Sequence, residues 1–188
     1  SLGLIIIQYG AQDYLIKGSI TVDSLERAIR YALERHGIKS RLHQSEQFLR
    51  STLDALSAHI AILEPSGVIT AVNRAWIEFS IKNQGDILKD GPGSNYLSVC
   101  DVSAEYGDEL AATISQGIRS VISGTLPFYQ IEYPCHSPCE NRWFHLRVTP
   151  FPEKEDRQVV VVHEEITSRK IAEKKFEKSQ SIFKDVFE

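Results

Sequence analysis

A stretch of helix-forming text occurs twice in this chain. Leu42-His43-Gln44-Ser45-Glu46-Gln47-Phe48-Leu49-Arg50-Ser51-Thr52-Leu53 returns as Phe176-Glu177-Lys178-Ser179-Gln180-Ser181-Ile182-Phe183-Lys184-Asp185-Val186-Phe187. Both copies set apolar side chains (Leu42, Leu49, Leu53; Phe176, Phe183, Phe187) at helical spacing among polar and charged residues. Whatever folds between them is entered from one helix and left by another, the pattern of a tandem array in which a lead-in helix precedes each module. The second copy stops almost at once, the chain begins abruptly on apolar residues and it contains no Met. These features predict a segment of a longer protein.

The text between the copies is strand-rich. Ile60 to Glu64 and Val68 to Val72 flank Pro65-Ser66-Gly67, which predicts a β-hairpin. Asn73-Arg74-Ala75-Trp76 opens a helical segment, and 83–95, with Gly85, Gly91, Pro92 and Gly93, reads as a loop with short helical turns at most. After Asp101 or Ser103, Leu110, Ala111, Ile114, Ile118, Val121 and Ile122 define one face of a helix that Gly124 ends. Three strands follow at about 127–134, 142–150 and 157–165. Two strands, helices and three more strands predict an α+β fold: a sheet with helices on one face.

Composition excludes several function classes. A net charge of −4 with scattered Lys and Arg offers no basic stripe for nucleic acid and no polybasic membrane anchor. The apolar runs are far shorter than the roughly 20 residues of a membrane span, so a cytoplasmic location is expected. Three cysteines, Cys100, Cys135 and Cys139, are too few and odd in number for a disulfide framework.

The N-terminal text differs in character. Residues 1–40 read as an apolar stretch, a short strand Asp13 to Ile16, and a helix whose face is Leu25, Ala28, Ile29, Ala32 and Leu33, capped by Thr21 or Asp23. Gly10-Ala11-Gln12-Asp13-Tyr14-Leu15-Ile16-Lys17-Gly18 and Leu25 to Arg35 resemble the closing quarter of a response-regulator receiver domain. The resemblance implies that Lys17 matches the family's phosphoryl-binding lysine, but the acidic phosphoacceptor site has no counterpart in this text, so Asp13 is not given that role and Lys17 is expected to be solvated. From Ile38 the pattern becomes a heptad, Leu42, Leu49 and Leu56, with polar Ser45 and Thr52 on companion positions. With Phe176 and Phe183 in the second helix, these residues are the expected seam of a homodimer. The alternative is that each helix packs on its own domain.

The hairpin text Ile62 to Asn73, then Trp143-Phe144-His145-Leu146-Arg147-Val148-Thr149-Pro150 and finally Glu164-Glu165-Ile166-Thr167 resemble a PAS sensory domain, with Glu165 where the family usually has Asp. The resemblance implies a five-stranded antiparallel sheet curved over a pocket, and a division into a receiver-like fragment (1–36), a helical connector (37–57), a PAS domain (58–166) and a C-terminal signalling helix (167–188). Strand alternation puts Phe144, Leu146 and Val148 inward against Trp143, His145 and Arg147. Tyr129, Ile131 and Tyr133 share a face. With Ile60, Ile62, Val160 and Val162, and with Tyr96, Ile114 and Ile118 from the helical side, they form either a filled core or the lining of a ligand pocket. No convergent polar group in the sequence separates the two.

The cofactor remains unassigned. The flavin-thiol string Asn-Cys-Arg-Phe-Leu-Gln of light-sensing PAS domains is not matched by Asn95 to Asp101, so Cys100 reads as a buried apolar side chain, and no His stands between Asp108 and Gly124 where haem-binding members carry one. Cys135-His136-Ser137-Pro138-Cys139 has the wrong spacing for a zinc knuckle and no second pair, so no metal is assigned. His36 and His43 lack the surroundings of a kinase phosphoacceptor, and no catalytic motif is present. The expected function is a non-catalytic sensory or relay module of a two-component-type phosphorelay protein. Its partners are a second copy, neighbouring domains and a small-molecule ligand. The alternatives are the regulatory part of a histidine kinase or diguanylate cyclase, and a ligand-free dimerisation module.

Overall fold

The computed structural model describes residues 20–86, 90–136, 140–151 and 157–187. Lys17, Asp13, Cys139 and the strand expected near Asp13 lie outside them. The chain divides into two compact units, Ser1–Ser51 and Thr52–Glu188.

In the first unit the described residues form most of one helix, α1 (Val22–Asp54), which runs without a break through Gly37, where a domain boundary was expected. Thr21 starts it: its Oγ1 accepts from Ser24 N at 3.2 Å, and the Ser24 hydroxyl accepts from Thr21 N at 2.9 Å. No side chain of α1 is buried. Leu25, Ile29, Leu33, Ile38, Leu42 and Leu49 are all exposed. On a helix of 3.6 residues per turn, the face of Leu25, Ile29 and Leu33 is displaced by roughly half a turn from that of Ile38, Leu42 and Leu49. The two apolar faces thus point to opposite sides of the helix. Leu56, expected to extend the heptad, lies beyond the helix, because Leu53 and Leu56 carbonyls are taken by the Asn73 side chain at 3.1 and 3.4 Å.

The second unit is built on a five-stranded antiparallel sheet of order β2-β1-β5-β4-β3. Its strands are β1 (His59–Leu63), β2 (Ile69–Val72), β3 (Tyr129–Pro134), β4 (Trp143–Pro150) and β5 (Val159–Glu165). Between β2 and β3 come α2 (Arg74–Lys82), α3 (Tyr96–Glu105) and α4 (Glu109–Ile122); α5 (Thr167–Phe187) leaves the sheet. Helix α3 corrects the expectation that helix begins only after Asp101. Asn95 caps it, accepting from Ser98 N at 3.0 Å, and its exposed Val99 and Val102 break the usual apolar stripe.

The hairpin turn fixes where α3 begins. Gly67 has φ +86, and a Cβ there would sit 2.8 Å from both Asn95 Oδ1 and the Leu97 side chain, so only Gly fits. Asn95 Nδ2 donates to Ser66 O at 2.8 Å and Tyr96 N donates to Gly67 O at 2.9 Å, which places Tyr96 against the sheet.

Inward-facing Ala61, Leu63, Val148, Val159 and Val161 meet Ile114, Ile118 and Val121 of α4 in the hydrophobic core. Each Val, Leu or Ile among them contributes about 1.5–3 kcal/mol on burial. The β4 alternation is as expected, with Phe144, Leu146 and Val148 buried. The phase of β1 and β5 is not. Residues Ala61, Leu63, Val159, Val161 and His163 face the helices, so Ile60, Ile62, Val160 and Val162 lie on the opposite face, three of them only half-buried and Ile60 buried.

Candidate functional site

One end of the sheet's inner face is packed solid and the other is open. Across four strands at the open end stand His59, His163, Phe144 and Tyr133, with His59 paired to His163 and Tyr133 to Phe144 in register. Trp76, Phe79, Ser80 and Asn83 recur at helical spacing along α2 and face them, and Tyr96 and Val99 come from α3. They enclose a cavity of about 320 Å³, completed by Ile69, Gly85, Asp90, Ser94 and Cys135. That volume lies within the range of small-molecule sites.

The walls are aromatic. Phe79 meets Phe144 edge-on at 5.5 Å between ring centroids, Tyr133 stacks on Phe144 at 6.0 Å, and His59 tilts against Phe79 at 4.4 Å. Such pairs contribute about 0.5–1.5 kcal/mol beyond the area they bury. His163 is the central polar group. Its Nε2 lies 3.2 Å from the Tyr96 hydroxyl, its Nδ1 2.6 Å from the Tyr133 hydroxyl, and the Trp76 ring packs edge-on at 5.6 Å. Burial, followed by the nearby His59, depresses its pKa to about 3, so the imidazole is neutral at pH 7. Burial also raises both tyrosine hydroxyls above their ordinary range. The Cys100 thiol is pushed up to about 11, chiefly by burial and then by Asp101. A thiol so suppressed is a poor nucleophile at neutral pH.

At the α2 side, Trp76 Nε1 donates to Asp90 O at 2.8 Å and Ser80 Oγ to Asp90 Oδ2 at 3.2 Å. Just outside the lining, buried Arg142 donates through Nη2 to Asn83 Oδ1 at 2.7 Å and stacks over Phe79 at 5.2 Å. Its Nε has no hydrogen-bond partner among the described residues.

Of the pocket residues expected from sequence, Tyr96 and Phe144 line the cavity. Ile114, Ile118 and Leu146 are in the solid core, and Tyr129 and Ile131 are half-buried against it. Ile60, Ile62, Val160 and Val162 are on the other face. The sheet's inner face thus carries a filled core at one end and a cavity at the other. Sequence reasoning missed His59, Trp76, Phe79, Ser80, Asp90 and His163, although a lone His closing a run of four valines was a visible signal. Among the described residues no three His, Cys, Asp or Glu side chains converge as a metal site. No helix among the described residues is long and apolar enough to cross a membrane.

The cavity is tied to both flanking helices. Asn73 Nδ2 also donates to Ala58 O at 2.8 Å, while its Oδ1 accepts from Ile60 N at 2.9 Å and Trp76 N at 3.1 Å. Downstream, β5 ends at Glu165, and Thr167, the first residue of α5, lies four residues after His163. There Ile166 N donates to Trp143 O at 2.8 Å, Trp143 N donates to Thr167 Oγ1 at 3.1 Å, and that hydroxyl donates to Glu165 at 2.8 Å. Glu132 of β3 holds Arg169 at 2.5 Å and Lys170 at 2.7 Å. Hydrogen bonds from Lys170 and then Arg169 lower its carboxyl to about 2.

The fold is PAS-like. No protein-family profile matches the chain. A similar protein is the uncharacterized 104.1 kDa protein in the hypE 3′ region of Rhodobacter capsulatus, 37% identical over 124 residues, 64% of this chain. The match spans 13% of that relative's length. Among solved structures, the PAS domain of an HTR-like protein from Haloarcula marismortui is 13% identical, over 70% of this chain and 99% of that one, at a TM-score of 0.45. The PAS domain of Bordetella pertussis BvgS is 10% identical, over 73% and 98%, at 0.46. The phage VqmA–DPO complex is 16% identical, over 78% and 62%, at 0.47.

Proposed function

We propose that this chain is a non-catalytic sensory and relay module whose cavity state is passed through β5 into α5 and on to further domains of a signalling protein. The observation that carries this reading is the position of His163: it forms the cavity's polar wall and stands on the strand that becomes α5. A change at its two tyrosine contacts displaces a strand whose end is clamped to α5 by Trp143, Thr167 and Glu132. Shifting a helix between two packings takes only a few kcal/mol, within reach of a small ligand's differential affinity.

The module works as a parallel homodimer in a cytoplasmic two-component-type protein, with output from a histidine kinase or diguanylate cyclase domain. Support comes from the exposed heptad residues Leu42 and Leu49 and from Phe176, also exposed, in the middle of α5. Leu49→Cys and Phe183→Cys, each in a background lacking the native cysteines, provide the test. Disulfide cross-linking at both positions together with a dimeric native mass is expected, whereas a monomer that fails to cross-link at either overturns the dimer.

A further inference from the structure

The cavity's hydrogen-bonding inventory is lopsided. The Ser80 hydroxyl is committed to Asp90 Oδ2, the Ser94 hydroxyl to Gly91 O at 2.6 Å, the Trp76 indole N–H to Asp90 O, and Asn83 Nδ2 to Phe79 O at 2.7 Å. Apart from the second Asn83 amide N–H, these donors are thus turned back into the protein. A neutral imidazole has one N–H, so of the two hydroxyls on His163 one donates and the other accepts, keeping its own O–H. His59 adds one N–H and one lone pair. Acceptors remain in surplus: the Asp90 carboxylate, with one of about four lone-pair sites occupied by Ser80, and the hydroxyl oxygens of Ser80, Ser94 and Tyr133. No cation pairs with Asp90 among the described residues. Around this acceptor set stand the rings of Trp76, Phe79, Tyr96, Tyr133 and Phe144.

Aromatic faces and a carboxylate attract the same kind of guest. A cation within about 6 Å of a ring centroid gains roughly 0.5–2 kcal/mol, more as water is excluded, with Trp best. Resting on the proposal that the cavity is a sensory site, we infer that it takes a small organic cation: an amine or protonated nitrogen heterocycle with a flat apolar body. The body lies between Phe79, Phe144 and Tyr133, and the charged nitrogen points to Asp90, between Trp76 and Tyr96. That orientation also keeps the ligand's charge away from Arg142, which covers the outer face of Phe79. A carboxylate-bearing ligand of the same shape would meet Asp90 and find only neutral donors to receive it: the His59 N–H, the second Asn83 amide N–H and one tyrosine O–H.

The test is calorimetric titration of the full 188-residue chain with three molecules of one shape: phenethylamine, 2-phenylethanol and 3-phenylpropionate. Phenethylamine is expected to bind at least about ten-fold more tightly than 3-phenylpropionate, a difference of roughly 1.4 kcal/mol. Asp90→Asn is expected to remove that preference while leaving 2-phenylethanol unchanged. Equal or tighter binding of 2-phenylethanol or 3-phenylpropionate overturns the cation assignment and leaves a sensory cavity standing. Loss of all three probes to the same extent in Asp90→Asn reduces Asp90 to a wall residue and also overturns it. Binding of none of them overturns both readings. The wild-type ranking needs no variant, so it decides the question even if Asp90→Asn does not fold.

Discussion

Replacing Asn73 by Ala tests the joint on which the whole arrangement turns. The side chain is 2% exposed and serves five backbone groups. Through Oδ1 it caps α2 at Trp76 N and satisfies the buried Ile60 N–H; through Nδ2 it closes Leu53, Leu56 and Ala58 carbonyls around the end of α1. Loss of the cap costs about 0.5–2 kcal/mol. Stranding the Ile60 N–H adds about 1–3 kcal/mol. The carbonyls lie nearer solvent and add less, so the sum is about 2–5 kcal/mol, a large share of the 5–15 kcal/mol typical of a domain. Urea denaturation followed by circular dichroism measures it. Asn73→Asp keeps the acceptor but sets a carboxylate against the carbonyls, and it too should destabilise. A loss under about 1 kcal/mol for Asn73→Ala would refute the reasoning, since five simultaneous contacts would then be replaceable by water.

The remaining predictions concern burial and packing. His163 has an ordinary pKa of 6.5 and a folded value of about 3, so the unfolded chain binds the extra proton and stability falls as pH drops from about 6.5 toward 3. Between pH 7 and pH 5 the loss is about 2 kcal/mol by unfolding titration, and His163→Gln should abolish most of it; an unchanged slope counts against a buried neutral imidazole. Gly117→Ala, in the middle of α4, would gain helix propensity but place a Cβ 2.5 Å from the Tyr129 ring. A net loss of about 1–2 kcal/mol is expected in the same assay, and a gain would mean that Tyr129 is free to move away.

What could be read from sequence follows from where the chemistry is local. In β4, large apolar residues strictly alternate with polar or amphipathic ones, so its inward face is legible. In β5, Val159-Val160-Val161-Val162 is apolar on both faces, and its phase is set only by pairing with β1. The cavity was hidden for the same reason, because its polar wall, His163, follows that unreadable run. Helix α3 contains three β-branched or small polar residues in its first half and shows exposed valines, so its helicity depends on the Asn95 cap and on Leu97 packing into the core. The heptad through Leu42 and Leu49 gave no warning that Asn73, distant in sequence, takes up carbonyls at the end of α1 and turns the chain before Leu56 can extend the seam.

Hydrogen exchange on the first turns of α5 tests most directly whether the cavity speaks to that helix. His163→Leu alters the cavity wall, while Val121→Ala opens a void in the solid core away from it. With exchange compared at matched global stability, the amides of 167–174 should lose protection in His163→Leu and keep it in Val121→Ala. Equal protection of α5 in the two variants would contradict the coupling and leave the cavity without an output.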